Sequence, residues 1–285
     1  MVHFVALVGA GVAAGVLSTV VGLASLVSYP ALLLVGLPPV AANVTNTVGL
    51  VATGIGAVAG SRAELAGQGR LVVRLCGVSA LGGAAGALVL LSTPARVFEV
   101  VVPGLIAGAS VLVLVGPRLR RAPAVAASDA PSGDKPSGDK PSGDEPSGDK
   151  PAPLAGDPVR RSSGSRLRGY LAVAPVGLYG GYFGAAAGVL MLAVLTLLLA
   201  DQPLARTNAA KNAAIGAANT AASAIFAVTG PVRWTAAAAL AIGSLVGGWV
   251  GPAVVRRLPA GPLRVLIALG GIGLAVKLAL DAGLP

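Results

Sequence analysis

Charge is scarce in this chain. Asp, Glu, Lys and Arg make up 11% of its 285 residues, against about a quarter in an ordinary soluble domain. Much of that charge is gathered in one stretch: residues 117–168 hold ten of the 21 Lys/Arg and seven of the 11 Asp/Glu. The rest of the chain has eleven basic and four acidic side chains, too few to solvate a soluble surface of that size. With a mean hydropathy of +0.82, the composition is that of a polytopic membrane protein.

Other scarcities exclude whole chemistries. Cys76 is the only cysteine and His3 the only histidine, so an internal disulfide, a Cys/His metal site and a His-based catalytic pair all lack their parts. No Gly-x-x-x-x-Gly-Lys-Ser/Thr occurs, which excludes an ATP-binding P-loop within this chain. Aromatic residues amount to 4%, leaving no stacking platform for bases. The net charge of +10 is therefore read as membrane topology, since arginines cluster at the ends of apolar runs where cytoplasmic loops collect them. No enzyme, no cofactor and no nucleic-acid partner is expected; the lipid bilayer is.

Long apolar runs are what the chain has in abundance. Measured against about 20 residues per crossing, they fall at 2–36, 41–60, 71–92 and 97–116, then at 169–200, 204–228, 233–255 and 262–281. The start, Met1-Val-His-Phe-Val, lacks a basic n-region and reads as a retained span rather than a cleaved signal. The first and fifth runs exceed one straight crossing. Small residues interrupt them, Gly15, Ser18, Gly22 and Ser25 in one and Gly177, Gly180, Gly184 and Gly188 in the other. Both are expected to be broken or tilted. Glycine pairs four apart, Gly56/Gly60, Gly82/Gly86, Gly104/Gly108 and Gly243/Gly247, are expected to let helices approach closely.

Between the halves, Pro-Ser-Gly-Asp-Lys/Glu recurs from Pro131, Pro136, Pro141 and Pro146. These pentapeptides have nothing with which to build a core, so residues 117–168 read as a disordered linker between repeats 1–116 and 169–285. Arg118, Arg120, Arg121, Arg160, Arg161, Arg166 and Arg168 flank it and put it in the cytoplasm of a multi-pass cell-membrane protein. The loop with Arg62, Arg70 and Arg74 agrees. The loop with Arg256, Arg257 and Arg264 would face outward and does not.

The halves run parallel in pattern. Gly15 and Gly22 align with Gly177 and Gly184; Asn43-Val-Thr-Asn-Thr47 falls over Asn208-Ala-Ala-Lys-Asn212; Gly82/Gly86 fall over Gly243/Gly247. Duplication with interrupted helices in equivalent places is a usual layout of secondary transporters. The expected fold is an all-α polytopic membrane protein of about eight segments in two homologous repeats, with segments 1 and 5 broken.

Asn208, Lys211 and Asn212 share one helix face at i, i+3 and i+4. An ammonium within an apolar span costs roughly 2.5–3.5 kcal/mol on insertion scales and needs a partner or a wet cavity. No carboxylate lies near it in sequence; a small anion is one counter-charge, and snorkelling to a headgroup is the alternative. Asn43, Asn46 and Thr47 form the equivalent face of the first half, as hydrogen-bond donors to an oxyanion or as glue between helices. Breaks at Gly22 and Gly184 would add helix N-termini, which favour anions. Mid-span acids that would couple protons are missing. An anion leaving a negative interior gains about 2.3 kcal/mol per charge per 100 mV, so export needs no coupling ion.

Gly15-Val-Leu-Ser18, Gly22, Pro30 through Pro39 and Ala42-Asn-Val-Thr45, with Gly180-Gly-Tyr-Phe-Gly184, Gly188, Leu204-Ala-Arg-Thr-Asn-Ala-Ala and Gly243-Ser-Leu-Val-Gly-Gly, resemble the sulfite exporter TauE/SafE family across both apolar halves. Gly22-Leu-Ala-Ser and Gly184-Ala-Ala-Ala depart from the glycine runs usual there. The resemblance implies transport of sulfite or an organosulfonate, bound near the midplane between the repeats. The expected binding residues are Lys211, Asn208, Asn212, Asn43, Asn46 and Thr47, with Gly22 and Gly184 at the breaks. Another small anion, a neutral solute, or a role as membrane anchor or scaffold are the alternatives.

Overall fold

The computed structural model describes residues 2–20, 22–125, 163–255, 269 and 272–280, and every regular element among them is an α-helix. In chain order these are α1 (Val2–Val20), α2 (Ser25–Leu34), α3 (Pro39–Gly60), α4 (Arg62–Leu65), α5 (Gly69–Ser92), α6 (Ala95–Val125), α7 (Ser163–Tyr182), α8 (Ala187–Leu198), α9 (Leu204–Thr229) and α10 (Trp234–Val255). Residues 272–280 are also helical. Helix thus enters the 117–168 stretch from both sides. The Pro-Ser-Gly-Asp repeats and the Arg256–Arg264 loop lie outside the described residues.

Four helical stretches, Val2–Thr19, Pro39–Gly60, Gly69–Ser92 and Trp234–Gly251, are long and apolar enough to cross a membrane. Helix α9 is as long, but the stripe of Asn208, Lys211, Asn212 and Asn219 lowers its hydropathy. Its polar residues face protein instead of lipid: Lys211 and Asn212 are buried.

Both over-long runs are broken, one at Gly22 and the other at Gly184. The first stops at Val20 and resumes at Ser25, with Gly22 at φ +83°. The second stops at Tyr182 and resumes at Ala187, with Gly184 at φ +73°. These left-handed conformations cost an L-residue with a Cβ about 1–2 kcal/mol each, so glycine sets where the helix can stop. Gly15, Gly177, Gly180 and Gly188 stay helical. Proline fixes the following starts: Pro39 opens α3 behind Pro38, and Pro203 precedes α9, positions where a missing N–H costs nothing. Helix α2 closes with a Schellman motif, Gly36 at φ +88° donating to Leu33 O and Leu37 to Leu32 O.

The packing crosses the halves. Helix α10 lies between α1 and α3, helix α5 lies between α7 and α9, and α3 meets α9 at the centre. Each half thus lends one long helix to the other. Small residues make these contacts possible. A Cβ on Gly11 or Gly15 would fall 2.6 Å from the carbonyl of Leu240 or Ser244, and one on Gly82 would fall 2.6 Å from Ala174 O. Gly243 and Gly247 press on Val8 and Val12, and Gly86 on Leu178, still more closely. Ser244 Oγ adds a hydrogen bond of 3.0 Å to Gly49 O across α10 and α3. Gly104 and Gly108 differ from expectation: nothing among the described residues stands within 4 Å of a Cβ at either, so they bring none of the described helices together.

A comparison on one helix tests this packing. Gly86→Val, which drives a side chain into α7, should cost about 1–3 kcal/mol by overpacking. Gly77→Val, at an open position of α5, should leave the thermal midpoint in detergent nearly unchanged. Equal shifts for the two variants would contradict the assigned contact.

Candidate functional site

The two helix breaks face one another at the centre of the molecule. A Cβ on Gly22 would lie 2.5 Å from Gly188 C, and one on Gly188 would lie 2.5 Å from Gly22 Cα. A broken helix presents unpaired carbonyls at its first half and unpaired N–H groups at its second. Inside a membrane each must find a protein partner.

The carbonyls do so through side chains of α3 and α9. At the end of α1, Leu17 O accepts from Gly22 and Leu23 N–H at 3.0 and 3.3 Å. Ser18 O accepts from Lys211 Nζ at 3.0 Å, and Thr19 O from Asn208 Nδ2 at 3.0 Å. At the end of α7, Tyr179 O accepts from Phe183 and Gly184 N–H, and Tyr182 O accepts from Asn43 Nδ2 at 2.8 Å. Tyr179 Oη donates to Ala185 O at 2.7 Å. The aligned asparagines, Asn43 and Asn208, therefore do the same work, each capping the broken helix of the other half.

The next aligned pair differs in charge. Asn46 donates through Nδ2 to Ser25 Oγ at 3.1 Å, while Lys211 holds its ammonium against the end of α1. That end carries the negative pole of the helix dipole, which accounts for an ammonium only 1% exposed. Snorkelling to a headgroup does not occur: Lys211 is turned to the protein interior.

Around these groups lies a small cavity of about 30 Å³, room for only a water or two. Lys211, Asn212, Thr47, Gly22 and Gly184 line it. Asn43, Asn46 and Asn208 do not, and stand behind it as caps. Thr47 donates back to Asn43 O at 3.0 Å, which leaves its oxygen, not its proton, for the cavity. Asn212 Nδ2 is buried and lacks a hydrogen-bond partner among the described residues, as does Thr53 Oγ1. No acidic residue lines the cavity among the described residues, and no group of three or more His, Cys, Asp or Glu that could hold a metal occurs among them.

Ser18, Ser25, Thr53 and Asn219 also line the cavity and were not among the expected binding residues. Helical spacing held the signal for two of them: Asn219 follows Asn212 by seven residues, and Thr53 follows Asn46 by seven. At the start of α8, Ala187, Val189 and Leu190 N–H donate to Gly184 O and Ala186 O, among the described residues no backbone carbonyl outside the helix accepts from Gly188 N–H, and Gly188 lines the cavity.

Comparison with known proteins follows this geometry. A family model described as Sulfite exporter TauE/SafE matches residues 7–278. A probable membrane transporter protein of Haemophilus influenzae is 25% identical over 275 residues, covering 96% of this chain and 93% of that protein. No solved structure matches the chain significantly.

The caps generate a paired prediction. Asn43→Ala and Asn208→Ala each strip a buried carbonyl of its donor and should destabilise the protein by about 1–3 kcal/mol. Denaturant titration in detergent reads both. A neutral outcome in either would mean that another group closes that break.

Proposed function

The chain belongs to the sulfite exporter TauE/SafE family of membrane transporters, and from that membership we propose that it carries a small sulfur oxyanion, sulfite or an organosulfonate, through the cavity between the two helix breaks. The observation that supports this reading most is the chemistry of the cavity wall. A buried ammonium and the donor amide of Asn212 meet there, with no carboxylate among the described lining residues. Such a wall attracts an oxyanion and repels no part of it. A cation would meet the ammonium of Lys211 in that wall.

In this reading Lys211 supplies the charge and Asn212 a neutral donor. The N–H groups at the start of α8 add their share of the helix dipole, and Asn43, Asn46 and Asn208 hold the breaks in place. Thr47 offers its oxygen to a protonated form of the anion. The cavity is smaller than an oxyanion with its water shell, so transport requires α3, α9 and the break segments to move apart. Export down the membrane potential, at about 2.3 kcal/mol per charge per 100 mV, drives that cycle without a coupling ion.

Flux of sulfite in proteoliposomes under an imposed potential tests the reading. Asn212→Ala removes a donor that no described protein group uses, so stability should hold while the KM for sulfite rises about 3–10-fold. Lys211→Met should cut flux about 10–100-fold, the worth of a charge-assisted hydrogen bond, in protein that remains monodisperse. Undiminished sulfite flux in Lys211→Met, or flux of neutral solutes that sulfite does not compete, would overturn it.

A further inference from the structure

A second, larger cavity lies next to the first. It encloses about 460 Å³, against about 30 Å³ for the central one, and it is open on one side. Its walls come from α3, α5 and α9 and are apolar, among them Val51, Ile55, Val72 and Ala217; Arg62 of α4 stands in its lining, and Cys76 projects from α5. Arg62 is exposed, and Cys76 is half-buried. Nothing in the capping network uses this space.

Two residues line both cavities, Gly54 and Gly216. They mark where α3 crosses α9: a Cβ on Gly54 would lie 2.8 Å from Gly216 Cα, and one on Gly216 would lie 3.2 Å from Gly54 Cα. At this crossing the two cavities are separated by close backbone contact between the glycines. Where Phe183 lines the central cavity it is backed by aromatic rings, Tyr29 at 5.4 Å and Phe98 at 6.1 Å between centroids, with Phe98 in turn edge-on to Tyr182. Tyr29, Phe98 and Phe183 are all buried.

We infer that the larger cavity is the entry vestibule for the transported anion, with Arg62 as its capture site and the Gly54–Gly216 crossing as the gate to the central cavity. The inference rests on the oxyanion reading for its ligand, and on geometry alone for its route. Parting α3 from α9 by a few ångströms at two glycines joins the cavities, whereas opening through Phe183 requires a packed aromatic cluster to come apart. The apolar walls and the single guanidinium suit an anion with a short hydrocarbon part, as in an alkyl sulfonate. The guanidinium acts by raising the anion's local concentration, not by holding it during transit.

The full chain in proteoliposomes tests the route, and its only cysteine is the reporter. Cys76 should react with an anionic, membrane-impermeant maleimide added at the face that bears Arg62, and not from the other face. After removal of the reagent, the adduct should lower sulfite or ethanesulfonate flux about tenfold by filling the vestibule; Cys76→Ser should be insensitive to the reagent. In the Cys76→Ser background, Asn219→Cys reports the central cavity. Its labelling from the same face should slow about tenfold with Gly216→Val and less with Gly216→Ala, in step with the added volume at the crossing. Retained labelling of Cys76 in Gly216→Val shows that the vestibule has kept its fold. Arg62→Gln should raise KM about 3–10-fold and leave the maximal rate nearly unchanged.

Equal labelling of Asn219→Cys with glycine or valine at 216 would overturn the gate, and full flux through the Cys76 adduct would overturn the vestibule. A wild-type protein that carries neither anion, but whose labelling at 219 still depends on residue 216, would uphold the route and remove the oxyanion reading.

Discussion

Hydrocarbon offers no partner to a peptide group, and the rest of this structure depends on that constraint. Two helices are interrupted in the middle of an apolar molecule, and every interruption exposes carbonyls that only protein can satisfy. Asn43, Asn208 and Lys211 satisfy three of them at 2.8–3.0 Å. Those three side chains sit on α3 and α9, so the two helices that meet at the centre are also the two that hold the breaks open. Irregular backbone at membrane depth is tolerated where it is buried in protein or lines a cavity, and both breaks line the central one.

The exchange of long helices makes that arrangement rigid. With α10 packed between α1 and α3, and α5 between α7 and α9, neither broken segment rests only on its own half. Glycine faces allow backbone-to-backbone approach there, where lipid supplies no hydrophobic drive to hold helices together. The α3–α9 crossing is different in kind. At its closest point two glycines face each other, with cavities on either side.

Lysine at one of two aligned positions gives the site its direction of charge. Asn46 reaches Ser25, and Lys211 reaches Ser18, so similar local geometry holds a neutral amide on one side and an ammonium on the other. The ammonium faces the negative pole of the α1 dipole, worth about half a unit charge.

Much of this was written in local sequence. Fifteen charged side chains outside residues 117–168 require a membrane; run lengths require helices; glycines that can adopt positive φ mark where two runs stop. The polar stripe of α9 marked a buried charge, because a lysine eight residues into an apolar helix needs a partner or a wet cavity, and Lys211 is buried. What periodicity does not record is which residue answers which. Asn43 meets Tyr182 across 139 residues and Lys211 meets Ser18 across 193, and nothing local distinguishes an amide that caps a distant carbonyl from one that faces a ligand. Stripes of glycine and alanine fit one another in many registers, so Gly104/Gly108 read the same as Gly82/Gly86 until packing separated them. The sequence by itself determined the membrane, the helices, their two breaks and the buried charge, because these follow from transfer energies and backbone sterics residue by residue. Only the tertiary structure decided the exchange of α5 and α10, the division of the asparagines into caps and cavity wall, and the thin crossing at Gly54 and Gly216, because each depends on how one near-uniform apolar surface is seated on another.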